Sequence, residues 1–345
     1  MKYYTNQKVL SYNHNIIFSV GQRGIGKSYD WKRHAIHKFL KKKRKFIFIE
    51  RYEKDKKTRA KTYFNNMLTK KYKDYEIKYQ ASNFYIRPKN KKVWQLMGYC
   101  IDINTMSSIT SSSYEDVDLI LFDEFMNLSN KYIKDKDNPL KEPEIMQSFY
   151  QTVARGVDEV VRNNVKMVFL SNAVTLSNPY FIFYEIDKKL RIGMKKLRLK
   201  DKDIIVELPQ IKEIKTLIEK SKFFKSFKNK KYNDFALLNT FYLDNNAVIK
   251  KINKNYKPRI KFICDNKTYI LYEYKNNFIF SDKNSKKEML TFSVTEKDYK
   301  QDYFRIDKLK KYMLYDNIKN AFLDNNIFFE NQTCYQNFLF IFSLM

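Results

Sequence analysis

The stretch of sequence that decides the fold runs from Asn15 to Ser28 and reads NIIFSVGQRGIGKS. Its apolar first half predicts a buried β-strand, which leads into a glycine-rich turn and then into helix-like sequence. The segment from Gly21 to Ser28 matches the pattern G-x-x-x-x-G-K-[ST], which is typical of loops that bind the phosphates of a nucleoside triphosphate. Because a strand precedes this loop and a helix follows it, the sequence predicts a nucleotide site.

Each residue type in this phosphate loop (residues 21–28) has a physical task. Glycines allow the backbone to curl until successive N–H groups face the phosphate oxygens, and the start of the next helix adds its positive end. We expect Lys27 to reach the β- and γ-phosphates and the Ser28 hydroxyl to ligate Mg²⁺. The predicted ATP-binding residues here are Gly21, Gln22, Arg23, Gly24, Ile25, Gly26, Lys27, Ser28 and Tyr29.

Tyr12 lies just before the first strand, in a segment that often passes beside the base in nucleotide-binding folds. A contact with a purine and a place in the hydrophobic core are both compatible with this position. Tyr12 is therefore a candidate nucleotide contact.

A second informative stretch is the apolar run that begins at Val117 and ends in the adjacent carboxylates Asp123 and Glu124. A Walker B element has this form: the first acid holds Mg²⁺ through water, and the second polarises the attacking water as general base. An acidic pair after a strand is a weak signal alone, but downstream of a phosphate loop it predicts triphosphate hydrolysis. Asn172 follows another buried-type strand, where it either contacts the γ-phosphate or simply caps a loop.

The chain has 345 residues and a formal net charge of +29, which indicates about two domains and a polyanionic partner. Part of the lysine excess reflects a composition typical of an A/T-rich genome. The charged segment from Glu50 to Arg59 is predicted to be a loop, and it either contacts phosphate backbones or is an ordinary solvated loop. Its candidate nucleic-acid contacts are Arg51, Lys54, Lys56 and Lys57.

Three widely spaced cysteines indicate reduced thiols in a cytosolic compartment. No apolar stretch is long enough to span a bilayer and no signal peptide is evident, so no membrane association is expected.

The pattern along the chain predicts an α/β domain over residues 1–208, a helical linker over 209–239 and an α+β domain over 240–345. Within the first part, helices are predicted at Ser28–Lys42 and Glu144–Arg162; a connecting helix is expected at Gln210–Lys228. Beyond it, short β-like runs starting at Ala247–Ile252 alternate with turns, and helices are expected at Ile306–Tyr315 and Tyr335–Leu344.

With these motifs in view, the chain resembles the DNA-packaging ATPases of phi29-like bacteriophages. The similarity covers most of residues 7–184 and is thin beyond about residue 200. It is carried by QKVLSY (7–12), GQRGIGKSY (21–29), FDEF (122–125), TVAR (152–155), LSNAV (170–174) and NPYF (178–181).

The resemblance implies a P-loop NTPase domain of the ASCE type, with a mostly parallel sheet and flanking helices, and an α+β C-terminal domain that resembles a vestigial RNase H-like nuclease. It also implies a ring motor of five subunits in the host cytoplasm that docks transiently on the portal of a prohead. Such a motor drives double-stranded DNA inward with ATP and Mg²⁺, and relatives use a structural packaging RNA.

The resemblance further implies that Arg155 acts as an arginine finger on the neighbouring subunit's ATP, whereas the residues alone indicate a surface helix arginine. Gly156 and Val157 follow it where more basic character is expected, which leaves the local geometry open. No nuclease activity is expected, because Asp265 and Asp282 lie at predicted turns and the strand before Asp265 carries no acid.

Two other classes of function fit the same residues less well. One is a helicase or another nucleic-acid-remodelling ATPase with the same core, although stacking motifs are not evident. The other is a nucleic-acid-binding module with an inactive nucleotide site, against which the intact Lys27, Ser28, Asp123 and Glu124 argue.

Overall fold

The structure is a computed structural model. It describes residues 3–68, 71–109, 114–126, 131–134, 138, 140–155, 162–191, 193–226, 241, 244 and 248–345. The chain forms two compact units: one contains Met1–Tyr184 and Leu190–Tyr242, and the other contains Glu185–Lys189 and Leu243–Met345. No helix in the described ranges combines the length and the apolar character that a bilayer crossing needs.

The first unit is built on a nine-stranded sheet with the order β3-β4-β5-β2-β6-β7-β1-β9-β8. The six strands from β5 to β9 in this order run parallel, and antiparallel strands extend both edges. The strands are β1 Ile16–Val20, β2 Lys45–Glu50, β3 Tyr75–Gln80, β4 Asn83–Pro88, β5 Gln95–Asp102, β6 Val117–Asp123, β7 Lys166–Ser171, β8 Lys196–Leu199 and β9 Ile204–Glu207.

Helices connect these strands. They are α1 Gln7–Leu10, α2 Lys27–Lys42, α3 Glu53–Thr62, α4 Asn65–Leu68, α5 Lys141–Ala154, α6 Pro179–Phe183, α8 Lys212–Lys220 and α9 Lys222–Ser226, with α7 Ile186–Lys189 in the second unit. Every residue of β1 is buried, because this strand lies inside the sheet. Helix α2 buries Trp31, Ala35, Ile36 and Phe39 at the predicted helical spacing.

Several predicted boundaries in the first unit are wrong. The segment Glu50–Arg59 is not a loop: Glu50 ends β2, and α3 begins at Glu53. Acids in the first turn of α3 and cations in the last turn suit the helix dipole, and Glu53 pairs with Lys57 one turn on. The connecting helix breaks at Ser221, where the backbone is extended, into α8 and α9; residues 227–228 of the prediction lie outside the described part.

The helix predicted for Glu144–Arg162 is also shorter at its far end, since α5 stops at Ala154 and residues 156–161 lie outside the described part. Arg162 caps this end of α5, because its backbone N–H donates to the Ala154 carbonyl at 2.7 Å and its guanidinium donates to the Val153 carbonyl. These donors satisfy the carbonyl groups that a helix leaves open at its C-terminus.

The second unit is built on a six-stranded sheet with the order β14-β13-β10-β11-β12-β15. Strands β10, β11 and β12 are antiparallel, whereas β13 runs parallel to β10, β14 to β13 and β15 to β12. The elements are β10 Lys257–Cys264, β11 Lys267–Tyr274, β12 Asn277–Ser281, β13 Leu290–Ser293, β14 Phe304–Arg305, β15 Ile327–Phe329, α10 Met313–Leu323 and α11 Gln332–Leu344.

Two details of this unit differ from the predicted pattern. Residues 248–252 of the predicted run Ala247–Ile252 form no strand beyond a single bridge at Ile249, and Ala247 lies outside the described part. The helix predicted at Ile306–Tyr315 is a 3₁₀ turn over Ile306–Lys311, and α10 begins only at Met313. The core of this unit is aromatic and aliphatic, with Phe262, Phe280, Phe292 and Phe338 fully buried.

Candidate nucleotide-binding site

The carboxyl ends of three parallel strands bring the predicted motifs together. The phosphate loop follows β1, Asp123 ends β6 and is followed by Glu124, and β7 lies between these two strands in the sheet. They border a concave site of about 290 Å³. It is lined by Arg23, Gly24, Ile25, Gly26, Lys27, Ser28, Tyr29, Asp123, Glu124, Ser171 and Asn172.

Two glycines shape the phosphate loop. Gly24 has φ +76° and Gly26 has φ +95°, both in the left-handed region that an L side chain rarely adopts. Gly26 is also the N-cap of α2, so the loop passes directly into the helix and the positive end of α2 faces the site.

Lys27 is held inside the curled loop. Its ammonium donates to the carbonyls of Gly21 at 3.0 Å and Gln22 at 2.8 Å. Burial lowers the pKa of Lys27 to about 8, and the carboxylate of Asp123 opposes this shift. The ammonium is therefore mostly charged at neutral pH but desolvated, which favours an anionic ligand.

Ser28 and Asp123 connect the two motifs directly. The Ser28 hydroxyl donates to Asp123 Oδ1 at 3.1 Å, although the two residues are far apart in the sequence. Burial raises the pKa of Asp123, and this hydrogen bond opposes the shift. A hydroxyl and a desolvated carboxylate side by side are the kind of oxygen pair that holds Mg²⁺.

Glu124 turns out of the strand. Its φ is +64°, its N–H donates to the Leu170 carbonyl at 2.7 Å, and its side chain is 64% exposed. The guanidinium of Arg59 lies 3.6 Å from the Glu124 carboxylate and 3.2 Å from that of Glu50. A left-handed residue at a strand end is unusual for glutamate, and here it points the carboxylate along the edge of the site.

Helix α3 contributes two cations, Lys56 and Arg59, that pair with acids at the sheet edge; of these, Lys56 was predicted as a nucleic-acid contact. Lys56 donates to the buried Asp102 at 2.9 Å, and Arg59 pairs with Glu50, one turn further along the helix. Burial raises the pKa of Glu50 to about 7. Asp102, Glu50 and Asp123 end the neighbouring strands β5, β2 and β6, so α3 balances the charge of this acidic sheet edge.

The predicted nucleic-acid contacts separate into two groups. Arg51 is buried and bonded to Glu142, so its prediction as a phosphate-backbone contact is wrong. Lys56 forms an ion pair with Asp102 and its side chain is only 14% exposed, so its prediction as a nucleic-acid contact is also wrong. Lys57 is exposed beside Glu53, and Lys54 is exposed beside the ring of Tyr52, so these two are placed at the surface.

Four other predicted residues do not line the concave site. The amide oxygen of Gln22 instead accepts from the Ile211 N–H at 2.9 Å, and Gly21 contributes its carbonyl to Lys27. Tyr12 lies under the cations of Lys196 and Arg198, with its hydroxyl accepting from Lys196 at 2.7 Å. Arg155 is exposed at the end of α5.

Some residues at this site were missed by sequence reasoning. Ser171 is the last residue of β7 and lines the site beside Asn172; its place at the end of a buried-type strand was a signal in the sequence. The segment before α1 packs on the loop: the Tyr4 N–H donates to the Ile25 carbonyl at 3.0 Å, its hydroxyl donates to Glu207, and the Asn6 N–H donates to Asp30 at 2.7 Å. No linear pattern announces these contacts.

Comparisons with known proteins place this chain among bacteriophage DNA packaging proteins. The DNA packaging proteins of Bacillus phages PZA and phi29 are each 28% identical over 334 residues, covering 96% of this chain and 94% of theirs. The crystallised N-terminal domain of the DNA packaging ATPase from bacteriophage phi29 is 31% identical, with a TM-score of 0.50 over 60% of this chain and 96% of that domain.

A chain of the bacteriophage Phi-29 viral genome packaging motor assembly shares the fold, with a TM-score of 0.74 at 22% identity over 99% of both chains. The model of the family Podovirus DNA encapsidation protein (Gp16) matches residues 1–343. The chain therefore belongs to the podovirus DNA encapsidation protein family.

Proposed function

We propose that this chain hydrolyses ATP and uses the energy to move double-stranded viral DNA into a prohead. The observation that carries the proposal is the contact of Ser28 with Asp123, which unites a phosphate loop and a Walker B pair at one sheet edge. Membership of the encapsidation family and the net charge of +29 both indicate that the partner moved by hydrolysis is a polyanion.

The first unit supports assignment as a P-loop NTPase of the ASCE type, because β7 lies between the phosphate-loop strand and the acidic strand. ATP phosphates would lie against the loop amides and Lys27, with Tyr29 and Asn172 at the margin. Ser28 and Asp123 fit Mg²⁺, which when bound supplies Lewis-acid stabilisation of the phosphoryl oxygens.

Glu124 is the proposed general base. As the water oxygen bonds to the γ-phosphorus and the bond to the β–γ bridging oxygen breaks, the Glu124 carboxylate takes the water proton. Its exposed position beside Arg59 leaves the carboxylate accessible to water. Arg155 is the proposed arginine finger of the neighbouring subunit's site, since it is exposed at the end of α5 and absent from the lining of its own site.

The second unit fits a vestigial RNase H-like domain, since three antiparallel strands are joined by two strands parallel to the first. Asp265 lies in the turn after β10, where its N–H donates to Asp298 at 2.9 Å, and the Asp282 carboxylate accepts from the Asn331 amide at 3.4 Å. We assign this domain, over residues 240–345, to nucleic-acid or portal binding rather than cleavage. Residues 1–208 form the ATPase domain and 209–239 the linker in this proposal.

The working assembly in this proposal is a ring of five subunits on the portal, in the host cytoplasm, with a packaging RNA as in relatives. The test is DNA-stimulated phosphate release by the full chain, compared with Lys27→Ala and Glu124→Gln. Both variants should lose release while the unmutated protein is stimulated by DNA.

Two outcomes would point elsewhere. No phosphate release by the unmutated protein in any oligomeric state would favour a nucleic-acid-binding module. Strand separation of a duplex without packaging would favour a helicase.

The role of Arg155 has a separate test. Subunits with Arg155→Ala keep a complete site but give no finger, and subunits with Glu124→Gln give a finger but have no base. Mixing the two should recover hydrolysis that neither shows alone, and a silent mixture would contradict an action across the interface.

A further inference from the structure

A buried ion pair joins the acidic edge of the first sheet to the start of α5. The guanidinium of Arg51 binds Glu142 with donor distances of 2.9–3.1 Å, and the Glu142 side chain is 0% exposed. Glu142 also accepts from the Tyr180 hydroxyl at 2.9 Å and from the Ile133 N–H at 2.8 Å. We call Arg51, Glu142 and Tyr180 the Arg51–Glu142 cluster. A carboxylate with this many donors is fixed in place.

The same guanidinium reaches the acidic strand end. Arg51 donates to the carbonyl of Phe125 at 2.6 Å, and Phe125 directly follows Glu124. The guanidinium also lies 5.1 Å from the ring of Phe122, which immediately precedes Asp123 and Glu124. Arg51 thus contacts the residues on both sides of the proposed catalytic pair. A shift of the backbone around Glu124 therefore moves the Phe125 carbonyl, which accepts a hydrogen bond from Arg51.

Helix α5 carries the effect to its other end. Glu142 lies in the first turn of α5, and Arg155 follows the last residue of the helix. At 1.5 Å per residue these positions are about 20 Å apart along the axis. A packed helix moves as a rigid element, so the orientation of its first turn sets the position of Arg155.

We propose that Arg51 is a positioning residue, which makes the placement of Arg155 depend on the conformation of the acidic strand end in the same subunit. This inference rests on the proposed action of Arg155 on a neighbouring site. Each subunit would then present its arginine to the next subunit according to the state of its own site, which gives hydrolysis around a ring an order.

The test uses mixed rings in which each subunit has one task. Donor subunits carry Glu124→Gln and supply only Arg155; acceptor subunits carry Arg155→Ala and supply only a complete site. Arg51→Lys keeps the charge but loses the fork that reaches Glu142 and Phe125 together. In donors it should lower the rate of the mixture at least about 10-fold, because small misplacements of a catalytic group cost up to about 10²-fold.

A donor has no base, so a loss caused by a donor substitution reports on Arg155 and not on local damage to Glu124. Binding of a fluorescent ATP analogue and sedimentation of the mixed ring should be unchanged. Full activity with Arg51→Lys donors, or a loss confined to Arg51→Lys acceptors, would overturn the inference.

A milder pair of variants guards against misfolding. Tyr180→Phe removes one hydrogen bond to Glu142, and Tyr184→Phe removes the matching hydrogen bond to Gln147, further along α5. In donors, Tyr180→Phe should lower the rate several-fold and Tyr184→Phe should leave it within twofold. Equal effects of the two would contradict the proposal.

The mixture without any change at Arg51 distinguishes failure of the proposed arginine finger from failure of the proposed role of Arg51. If Glu124→Gln donors and Arg155→Ala acceptors are silent together, the proposed finger fails. If that mixture is active and Arg51→Lys donors support it fully, only the role of Arg51 fails.

Discussion

The two sheets of this molecule both place carboxylates at strand ends and loops, but they use them in opposite ways. In the first sheet, Glu50 and Asp123 end adjacent parallel strands, and Asp123 lines the concave site together with Glu124. In the second unit, Asp298 accepts hydrogen bonds from the N–H groups of the β10–β11 turn, and Glu330 accepts one from Ser281 at the end of β12. In the first unit, parallel strands bring the carboxylates to one edge. In the second unit, Asp298 and Glu330 instead accept hydrogen bonds from a turn and a strand, so we expect the first set of acids to affect hydrolysis and the second set to affect stability.

The largest expected effect is a difference in ATP hydrolysis between substitutions of acids in the two units. Glu124→Gln should lower ATP hydrolysis by about 10²–10⁴-fold, because a general base contributes on that order. Asp282→Asn, in the second unit, should leave it within twofold. Initial rates of phosphate release at saturating ATP check this, and a comparable loss in Asp282→Asn would break the contrast.

The stability of the first unit should depend on pH through Glu50, which lies at the acidic edge of the first sheet. Burial raises the pKa of Glu50 to about 7. Since this folded-state pKa exceeds the unfolded value, the contribution of Glu50 to stability is complete below pH about 4.5 and is lost as pH rises through about 7, by up to about 3 kcal/mol.

Glu50→Gln removes this titration. The variant should therefore gain stability relative to wild type between pH 5 and pH 8, measured as the difference in free energy of unfolding at each pH. Glu53→Gln, at the exposed start of α3, is the control, and its difference from wild type should be the same at every pH in this range. A pH-independent difference for Glu50→Gln would show that Glu50 titrates normally.

Substitutions of acids in the second unit should change the free energy of unfolding rather than the rate of ATP hydrolysis. Asp298 is buried and accepts from the backbone of Asp265 at 2.9 Å and of Asn266 at 2.8 Å. Asp298→Ala leaves these N–H groups without their acceptor and should destabilise the protein by about 2 kcal/mol, whereas the exposed Asp302→Ala should change stability by less than about 0.5 kcal/mol. Denaturant unfolding followed by circular dichroism measures both, and equal stabilities would refute a structural role for Asp298.

The smallest expected effect distinguishes surface cations from paired ones on α3. Lys54→Ala and Lys57→Ala should each reduce the salt dependence of DNA binding by up to about one unit of slope, if each lysine neutralises one phosphate. Lys56→Ala should leave that slope unchanged, because Lys56 is engaged with Asp102. The affinity for duplex DNA over a salt series provides the slopes, and an effect of Lys56 alone would reverse the assignment.

The parts of the site that could be predicted from sequence are those that a local pattern fully specifies. The phosphate loop needs glycines, a lysine and a hydroxyl at fixed spacing, and Asp123 and Glu124 end a continuous apolar strand, so both were visible in the chain. Their meeting follows from parallel strands sharing an edge.

The rest could not be predicted because it depends on contacts between distant residues. Arg51, Lys56 and Arg59 look like a solvated charge run, since α3 has no apolar stripe, yet each pairs with an acid on another element. The end of α5 was missed for a similar reason: valines continue the helical pattern beyond Ala154, but Arg162 closes the helix from outside it.

The contacts of Tyr4 with the phosphate loop and of Asn6 with the first turn of α2 have a practical consequence. The amide hydrogens of these two residues are bonded to the Ile25 carbonyl and the Asp30 carboxylate, so their exchange with deuterium depends on how the loop and the first turn of α2 are held. Deuterium uptake in the peptide that contains them would therefore act as a reporter of nucleotide capture, read from a segment that does not itself line the site.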